Sequence, residues 1–189
     1  HRAHASTTGV TELVPSVAGM LMAREIDVLG DLLELPDRPF VALLGGAKLS
    51  DKLSATRNLS TKVDTLLIGG GMVATFLNAM GLSVGDSPIE NEFLAAAYEI
   101  MDNVNDGGFH VQLPIDLVVA ESFSGIANKK IVGIDEIPPG WHIMDIGPET
   151  ISVFCEVLAS AKTVVWNGPM GVNEWRSFSE GTNRIAKYI

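Results

Sequence analysis

Short, continuous runs of apolar residues alternate with segments of helical pattern along most of the 189-residue chain. Continuous apolar runs are typical of strands that are buried on both faces, as in parallel sheets. Strands alternating with helices therefore predict a doubly wound, Rossmann-like α/β fold, in which helices cover both faces of a parallel sheet. The predicted strands are residues 40–44, 63–68, 109–113, 117–120 and 162–166, and the predicted helices are residues 48–59, 71–80, 91–104 and 149–161.

Two segments depart from this alternation. Residues 18–35 carry an apolar stripe formed by Met22, Ile26, Leu29 and Leu33, which predicts a helix of about five turns. That helix is either an ordinary docked helix or a connector between two lobes, since small and polar residues precede it. Residues 130–147 contain strand-like pieces broken by proline and glycine, and they predict a small excursion rather than another βαβ unit.

Composition limits the class of protein and its partners. Hydrophobic residues make up 47% of the chain and charged residues 19%, which indicates a packed globular protein. The net charge of −10 repels nucleic acid and anionic lipid, so neither is an expected partner and any anion site must be local. No apolar run approaches the roughly 20 residues of a membrane helix, and a cytoplasmic location is expected. The single cysteine, Cys155, is expected to be a reduced thiol at the core or its edge.

Three of the predicted strands run into glycine-rich turns. Gly45 and Gly46 follow the first strand, residues 69–71 follow the second, and residues 167–171 follow the last. Ligands bind at the carboxyl ends of parallel strands, where helix N-termini point and glycine allows a close approach of backbone. The turns match neither the G-x-G-x-x-G fingerprint nor the G-x-x-x-x-G-K-[ST] loop, which disfavours hydride transfer and standard P-loop hydrolysis.

Two lysines follow the first glycine turn. Lys48 and Lys52 are four residues apart, and the predicted helix over residues 48–59 places both on one face near its N-terminus. Like charges repel at this spacing and the helix dipole there prefers anions, so a phosphate ligand is one explanation of the pair. The other is that both lysines are solvated and that Asp51 partly neutralises them.

Five segments, in order and at compatible spacings over the whole chain, resemble the phosphoglycerate kinase family. They are HRAHAS at residues 1–6, GGAKLSDK at 45–52, IGGGM at 68–72, LPID at 113–116 and VWNGPMGVNE at 165–174. The resemblance implies reversible phosphoryl transfer between 1,3-bisphosphoglycerate and ADP, giving 3-phosphoglycerate and ATP in glycolysis. It also implies a two-lobed monomer that uses Mg²⁺ with the nucleotide and binds phosphoglycerate together with the N-terminal lobe.

The same resemblance divides the chain and assigns roles to its residues. Residues 1–17 are the expected remnant of the substrate lobe, residues 18–35 the interdomain helix, and residues 36–189 the nucleotide-binding domain. Lys52 is similar to the lysine that contacts the transferring phosphates and is the predicted catalytic residue. Lys48 resembles its companion, and Arg2 resembles an arginine that binds the substrate phosphate. The other predicted nucleotide-binding residues are Gly45, Gly46, Ala47, Gly69, Gly70 and Gly71 around the adenosine, Asn167, Pro169 and Gly171 on the phosphate side, Val172 in the same loop, and Glu174 at the ribose hydroxyls.

The chain departs from the family pattern in two places and in extent. Ile143 stands where the family usually has glycine and Asn173 where it usually has phenylalanine, and both changes are expected to affect nucleotide affinity. The chain ends at Ile189, before the late GGGD[ST] segment whose aspartate binds Mg²⁺, so no metal ligand is predicted within it. It also lacks the lobe with the catalytic arginine, and the fragment is expected to be inactive by itself. The alternatives are a nucleotide-binding module without turnover and a structural relic that binds nothing well.

Overall fold

The computed structural model describes residues 3–102 and 109–189, and the chain divides into two compact units, His1–Pro36 and Asp37–Ile189. In the first unit a π-helical turn, Ala5–Gly9, precedes helix α1, Met20–Glu34. This helix agrees with the one predicted over residues 18–35. No residue of α1 is buried, and Ile26 and Leu29 of its apolar stripe are 57% and 54% exposed.

The second unit contains the expected parallel sheet. Four strands in the order β3-β2-β1-β7 form it, and each pairs with its neighbours in parallel. Their bounds are Phe40–Leu44 for β1, Thr65–Ile68 for β2, His110–Gln112 for β3 and Thr163–Asn167 for β7. The accompanying helices are Leu53–Ser60 (α2), Val73–Ala79 (α3), Leu94–Asp102 (α4), Pro148–Ser160 (α5) and Glu180–Tyr188 (α6). The predicted α/β fold class is thus confirmed.

A second, antiparallel sheet is the main difference from the prediction. Strands β4 (Asp116–Ala120), β5 (Lys129–Gly133) and β6 (His142–Ile146) pair in the order β5-β4-β6. The run at residues 117–120 was predicted to join the parallel sheet, which is wrong. The excursion predicted over residues 130–147 is confirmed, because it supplies the two outer strands of this second sheet.

Two helices differ from their predicted bounds, and one was not predicted. Helix α2 begins at Leu53 rather than at residue 48, so the prediction that Lys48 and Lys52 share a helix face is wrong. The helix predicted over residues 91–104 is a 3-10 turn, Asn91–Phe93, followed by α4, and its last two predicted residues lie outside the described part of the chain. No helix was predicted over the residues of α6, in which Gly181 and Ile185 are buried.

The main core lies around the central strand of the parallel sheet. All five residues of β1 are buried, as expected for a strand covered on both faces. On one side, Val41 and Leu43 pack with Phe154 of α5 and Ile185 of α6. Cys155 is half-buried against this cluster as a free thiol, which agrees with its predicted position at the edge of the core. Among the residues that the structure describes, no helix is long and apolar enough to cross a membrane.

Candidate functional site

The three glycine turns lie side by side at the carboxyl edge of the parallel sheet. Leu44, the last residue of β1, pairs in register with Ile68 of β2 and with Asn167 of β7. Because β1 lies between β2 and β7, its turn lies between the other two turns. The structure therefore brings together three segments that are far apart in the sequence.

Backbone hydrogen bonds join these turns to one another. The Gly45 amide donates to the carbonyl of Asn167 at 2.9 Å, and the Gly46 amide donates to the carbonyl of Pro169 at 3.0 Å. The Gly70 amide donates to the carbonyl of Met170 at 2.8 Å. Since these donors already have partners within the protein, an incoming phosphate would have to break those bonds to use them. These three hydrogen bonds join the turns into a connected frame.

Glycine is required at two points where the turns touch. A Cβ atom on Gly45 would lie 2.1 Å from the carbonyl oxygen of Pro169. Gly70 has a φ of +71°, and a Cβ atom there would lie 2.4 Å from the Gly46 nitrogen. Backbone atoms cannot rotate out of such overlaps as a flexible side chain can. These glycines therefore allow close packing between the turns, in addition to any approach of a ligand.

A cavity of about 270 Å³ opens above this frame. One side consists of the glycine turns, and the other consists of apolar and aromatic side chains that the second sheet and its loops contribute. Its lining residues are Gly46, Ala47, Gly71, Ser87, Pro88, Phe123, His142, Ile143, Met144, Pro169, Gly171, Val172 and Glu174. The cavity thus combines a flat apolar wall with a single carboxylate at its edge, an arrangement that suits a planar base attached to a hydroxylated sugar.

Lys48, Lys52 and Asn167 do not line this cavity, and the other predicted site residues fall into three groups. Seven line it, namely Gly46, Ala47, Gly71, Pro169, Gly171, Val172 and Glu174. Gly45, Gly69 and Gly70 are buried beneath them in the frame. Arg2 lies outside the described residues. Of the two departures from the family pattern, Ile143 lines the cavity, whereas Asn173 lines a neighbouring open groove that also includes Glu174.

Lys52 lies at the rim of the frame. Its side chain passes beside Gly46, because a Cβ atom on that glycine would lie 3.1 Å from the lysine Cε. Its ammonium group donates a hydrogen bond of 2.5 Å to the side-chain oxygen of Asn167, across two of the three turns. Lys52 is the residue that precedes α2 and is half-buried, so its position is restricted while its charge still reaches solvent. The structure therefore brings two predicted phosphate-side residues into direct contact.

Lys48 has a different environment, which Glu90 defines. Lys48 is exposed in the loop before α2. The Glu90 carboxylate accepts hydrogen bonds from the amides of Leu49 at 2.6 Å and Ser50 at 3.2 Å, and from the Ser50 hydroxyl at 2.5 Å. Burial opposes its charge, but the hydrogen bonds from Ser50 and Leu49 and the charge of Lys48 together lower the pKa of Glu90. A carboxylate thus occupies two amides next to Lys48, where a phosphate ligand was one of the two explanations of the lysine pair.

Several cavity residues had no role in the sequence analysis. Phe123 and His142 form an edge-on ring contact with centroids 6.4 Å apart, and Met144 is 1% exposed in the apolar wall. Ser87 supports that wall, because its hydroxyl accepts the Ile143 amide at 2.9 Å. Apolar and aromatic residues near a glycine turn give no local signal of ligand contact, so only the pairing of β4 with β6 reveals them.

Two buried carboxylates lie in the second sheet and do not line the cavity. Asp116 accepts hydrogen bonds from the amides of Glu149 at 3.1 Å and Thr150 at 2.7 Å, and it thereby caps the N-terminus of α5. Asp145 is 1% exposed, and its carboxylate accepts the amide of Gly181. Burial raises the pKa of Asp145 to about 6, against hydrogen bonds that favour its ionised form.

The described residues contain no cluster of three or more His, Cys, Asp or Glu side chains that could hold a metal ion. Glu174 is the one carboxylate among the cavity-lining residues. The residues present therefore do not fit a Mg²⁺ site by themselves.

The chain is similar to proteins of one family over its full length. A family model described as phosphoglycerate kinase matches residues 1–189. A phosphoglycerate kinase from Roseiflexus castenholzii is 52% identical over 187 residues, which cover 99% of this chain and 47% of that protein. One from Moorella thermoacetica is 49% identical over 189 residues, covering 100% of this chain and 48% of that protein.

Solved structures give the same result. The phosphoglycerate kinase of Coxiella burnetii superposes with a TM-score of 0.86 and 40% identity, over 90% of this chain and 44% of that one. The enzyme from Pyrococcus horikoshii OT3 superposes with a TM-score of 0.80 and 28% identity, over 100% of this chain and 48% of that one. The chain therefore spans about half the length of the relatives that it matches.

Proposed function

The chain belongs to the phosphoglycerate kinase family, and from this premise we propose that it is the nucleotide-binding half of a phosphoglycerate kinase. The complete enzyme transfers a phosphoryl group reversibly between 1,3-bisphosphoglycerate and ADP, giving 3-phosphoglycerate and ATP in glycolysis. One observation carries the proposal: three turns joined by hydrogen bonds form one side of a cavity whose other side is apolar. We further propose that this enzyme acts as a monomer in the cytoplasm.

The cavity supports a specific division of the nucleotide. An adenine ring suits the apolar wall formed by Ile143, Met144 and Phe123, because a flat base contacts such side chains without leaving polar groups unpaired. The Glu174 carboxylate accepts hydrogen bonds from neutral hydroxyl donors and repels phosphate, so we assign it to the ribose. The phosphates then extend toward the rim where Lys52 contacts Asn167.

Lys52 supplies positive charge where the transfer takes place. Because the Gly46 and Gly70 amides already donate to carbonyls, we assign the phosphate contact at this rim to the Lys52 side chain. The ammonium group of Lys52 has three donors, and one of them is held by Asn167. A fixed cation of this kind offsets the negative charge of the transferring phosphoryl group. The acceptor in the ATP-consuming direction is already a carboxylate, so this step needs no general base.

The remaining groups would come from the substrate lobe and from the Mg²⁺ that accompanies the nucleotide. We propose that residues 1–17 belong to the substrate lobe, with Arg2 at the substrate phosphate, and that residues 18–35 form the connector between lobes. Mg²⁺ bound with the nucleotide would neutralise phosphate charge, and its aspartate ligand would lie beyond Ile189. A second candidate function follows from the same facts: because the chain spans about half of its relatives, by itself it is a nucleotide-binding module without turnover.

Titration of ADP into the chain by calorimetry tests the proposal. We expect measurable binding, and we expect Lys52→Ala to weaken it about tenfold or more, since a hydrogen bond to a charged group is lost. Lys162→Ala is the matched control, because this exposed lysine precedes β7 at the opposite edge of the sheet and should leave affinity unchanged.

Each negative result has a separate meaning. Absence of ADP binding to the unmodified chain would favour the structural relic over both proposals. Equal affinity of Lys52→Ala and the unmodified chain would remove Lys52 from the site. In a longer protein that contains this chain and the substrate lobe, phosphoryl transfer should be strongly reduced by Lys52→Ala and unaffected by Lys162→Ala.

A further inference from the structure

Asp145 is a buried carboxylate in β6, next to the cavity-lining residues Ile143 and Met144. Its Oδ1 atom accepts the Ile146 amide at 2.9 Å, and its Oδ2 atom accepts the Gly181 amide at 2.9 Å. Gly181 is the second residue of α6, so one of the two bonds joins the antiparallel sheet to the first turn of a helix. Neither oxygen contacts the cavity directly.

The carboxylate also packs tightly against the loop of residues 168–174. A Cβ atom on Gly171 would lie 2.2 Å from Oδ1 of Asp145, and a Cβ atom on Gly181 would lie 2.5 Å from it. Only glycine can occupy those two positions while the carboxylate stays in place. Asp145 is therefore wedged between the start of α6 and a loop residue that lines the cavity.

Two more hydrogen bonds join the neighbours of Gly181 and Asp145 to the loop of residues 168–174. The Thr182 hydroxyl, one residue after Gly181, accepts the Met170 amide at 2.9 Å. The Met144 carbonyl, one residue before Asp145, accepts the Val172 amide at 2.8 Å. The backbone of the loop is thus held from both α6 and β6, and the bond between Asp145 and Gly181 fixes the position of α6 relative to β6.

This arrangement requires the ionised form of the carboxylate. Both oxygens accept hydrogen bonds from backbone amides, and a neutral carboxylic acid would present an O–H donor to one of those donors. Burial and the nearby charge of Glu180 act in the opposite direction and raise the pKa of Asp145 to about 6. Charged or titratable groups on the surrounding elements are Asp116 of β4, Lys129 and Lys130 of β5, His142 of β6 itself, Glu174 of the loop, and Glu180, Arg184, Lys187 and Tyr188 of α6.

We propose that Asp145 is a positioning residue whose ionised carboxylate holds the loop of residues 168–174 in the conformation that binds the nucleotide. Protonation removes one of the two hydrogen bonds, loosens the attachment of α6, and weakens nucleotide binding. The inference rests on the proposed function, because it concerns the same cavity. It adds a pH dependence that arises from a group behind the cavity lining.

Protonation of Asp145 changes folding stability and nucleotide affinity in opposite directions. This difference separates a positioning role from unfolding. The folded pKa lies above the usual value of 3.8, so the folded state binds the proton more tightly than the unfolded chain does. Through this group, stability is highest in acid and is lost as the pH rises from about 4 to about 6. Loss of affinity on acidification therefore cannot arise from Asp145 destabilising the fold.

Calorimetric titration of ADP across pH tests the proposal. For the unmodified chain we expect affinity to fall about three- to tenfold between about pH 7.5 and about pH 5, as for loss of one hydrogen bond to a charged group. Asp145→Asn should bind weakly throughout and lack this step. Glu180→Gln is the matched control: it removes the neighbouring charge, keeps Asp145, and should move the midpoint to lower pH. Protonation of ADP itself also changes affinity with pH, but it does so equally for the unmodified chain and the two variants.

A second measurement needs no variant and no ligand. In the unmodified chain, the amide chemical shifts of Ile146 and Gly181 should titrate with a midpoint near pH 6, and those of Met170 and Val172 should follow with the same midpoint. Identical pH dependence of ADP binding in the unmodified chain and Asp145→Asn would overturn the inference. The inference would also be overturned if the amide chemical shifts of Met170 and Val172 did not titrate with the midpoint of Ile146 and Gly181. Absence of ADP binding at every pH would instead refute the proposed function, and the amide titration would still decide the role of Asp145.

Discussion

Replacement of Gly70 by alanine tests whether the three turns depend on one another. Gly70 has a φ of +71°, where alanine costs about 1–2 kcal/mol relative to its preferred conformations. The added Cβ atom would also lie 2.4 Å from the nitrogen and 2.6 Å from the oxygen of Gly46, and 2.9 Å from the oxygen of Pro169. Those three atoms belong to the backbone of the other two turns, so relief of the overlap must move the turns apart.

Overpacking of this kind typically costs about 1–3 kcal/mol, which gives a total loss of roughly 2–5 kcal/mol for Gly70→Ala. Gly81→Ala is a matched control, since Gly81 has a φ of +83° and a Cβ atom there would meet nothing within 4 Å. Gly81→Ala should therefore lose only the conformational part, about 1–2 kcal/mol. The difference between the two variants isolates the contact between turns.

Urea denaturation followed by circular dichroism measures the free energy of unfolding of both variants, and calorimetry measures their ADP affinity. We expect Gly70→Ala to be clearly less stable than Gly81→Ala and to bind ADP more weakly, because Gly46 lines the cavity. Equal destabilisation of the two variants, with unchanged ADP affinity in both, would refute the claim that the turns pack as a single frame.

Three further predictions concern buried or half-buried groups. Asp116→Ala removes the cap of α5 and leaves the Thr150 amide unpaired, and urea denaturation should show a loss of about 2–3 kcal/mol. Glu90→Gln places an amide donor against the backbone amides of Leu49 and Ser50, so ADP affinity should fall about fivefold. Glu92→Gln, at an exposed residue nearby, is the control and should have no effect. Burial raises the pKa of the Cys155 thiol, although Arg184 opposes the shift, so a thiol reagent should react about tenfold or more slowly with the folded chain than with the chain in urea.

The sequence predicted the architecture of the parallel sheet well, because its signals are local. Continuous apolar runs and the helices between them are visible in any short window, and four of the five predicted strands form that sheet. Whether the strand at residues 117–120 pairs in parallel or antiparallel is not a local property of the sequence. Its apolar residues are buried on both faces as in a parallel strand, but its partners β5 and β6 run antiparallel to it.

Helix bounds failed where distant residues decide them. The start of α2 is displaced because Glu90, about forty residues later in the chain, holds the amides of Leu49 and Ser50 in a turn before the helix. Helix α6 gave too weak a signal, since Ile185 is its one buried apolar side chain among mostly polar neighbours. Both features depend on contacts that form only when the chain is folded.

The candidate site shows the same division between local and non-local information. Motif letters identified the glycine turns and Lys52, and the structure brings them to one edge of the sheet. They did not reveal that Gly45 and Gly70 are required by contacts with other turns, or that Asp145 supports Gly171 from behind. Those roles depend on distances between backbones, which a single sequence does not contain.

The three turns and the apolar wall opposite them form a single nucleotide site. Amide chemical-shift changes on titrating ADP into the isotope-labelled chain test it most directly. We expect the largest changes at Gly46, Ala47, Gly71 and Gly171, together with the amide of Ile143 in the opposite wall. Changes confined to one turn, or concentrated at the separate groove lined by Lys129 and Ile131, would contradict the claim.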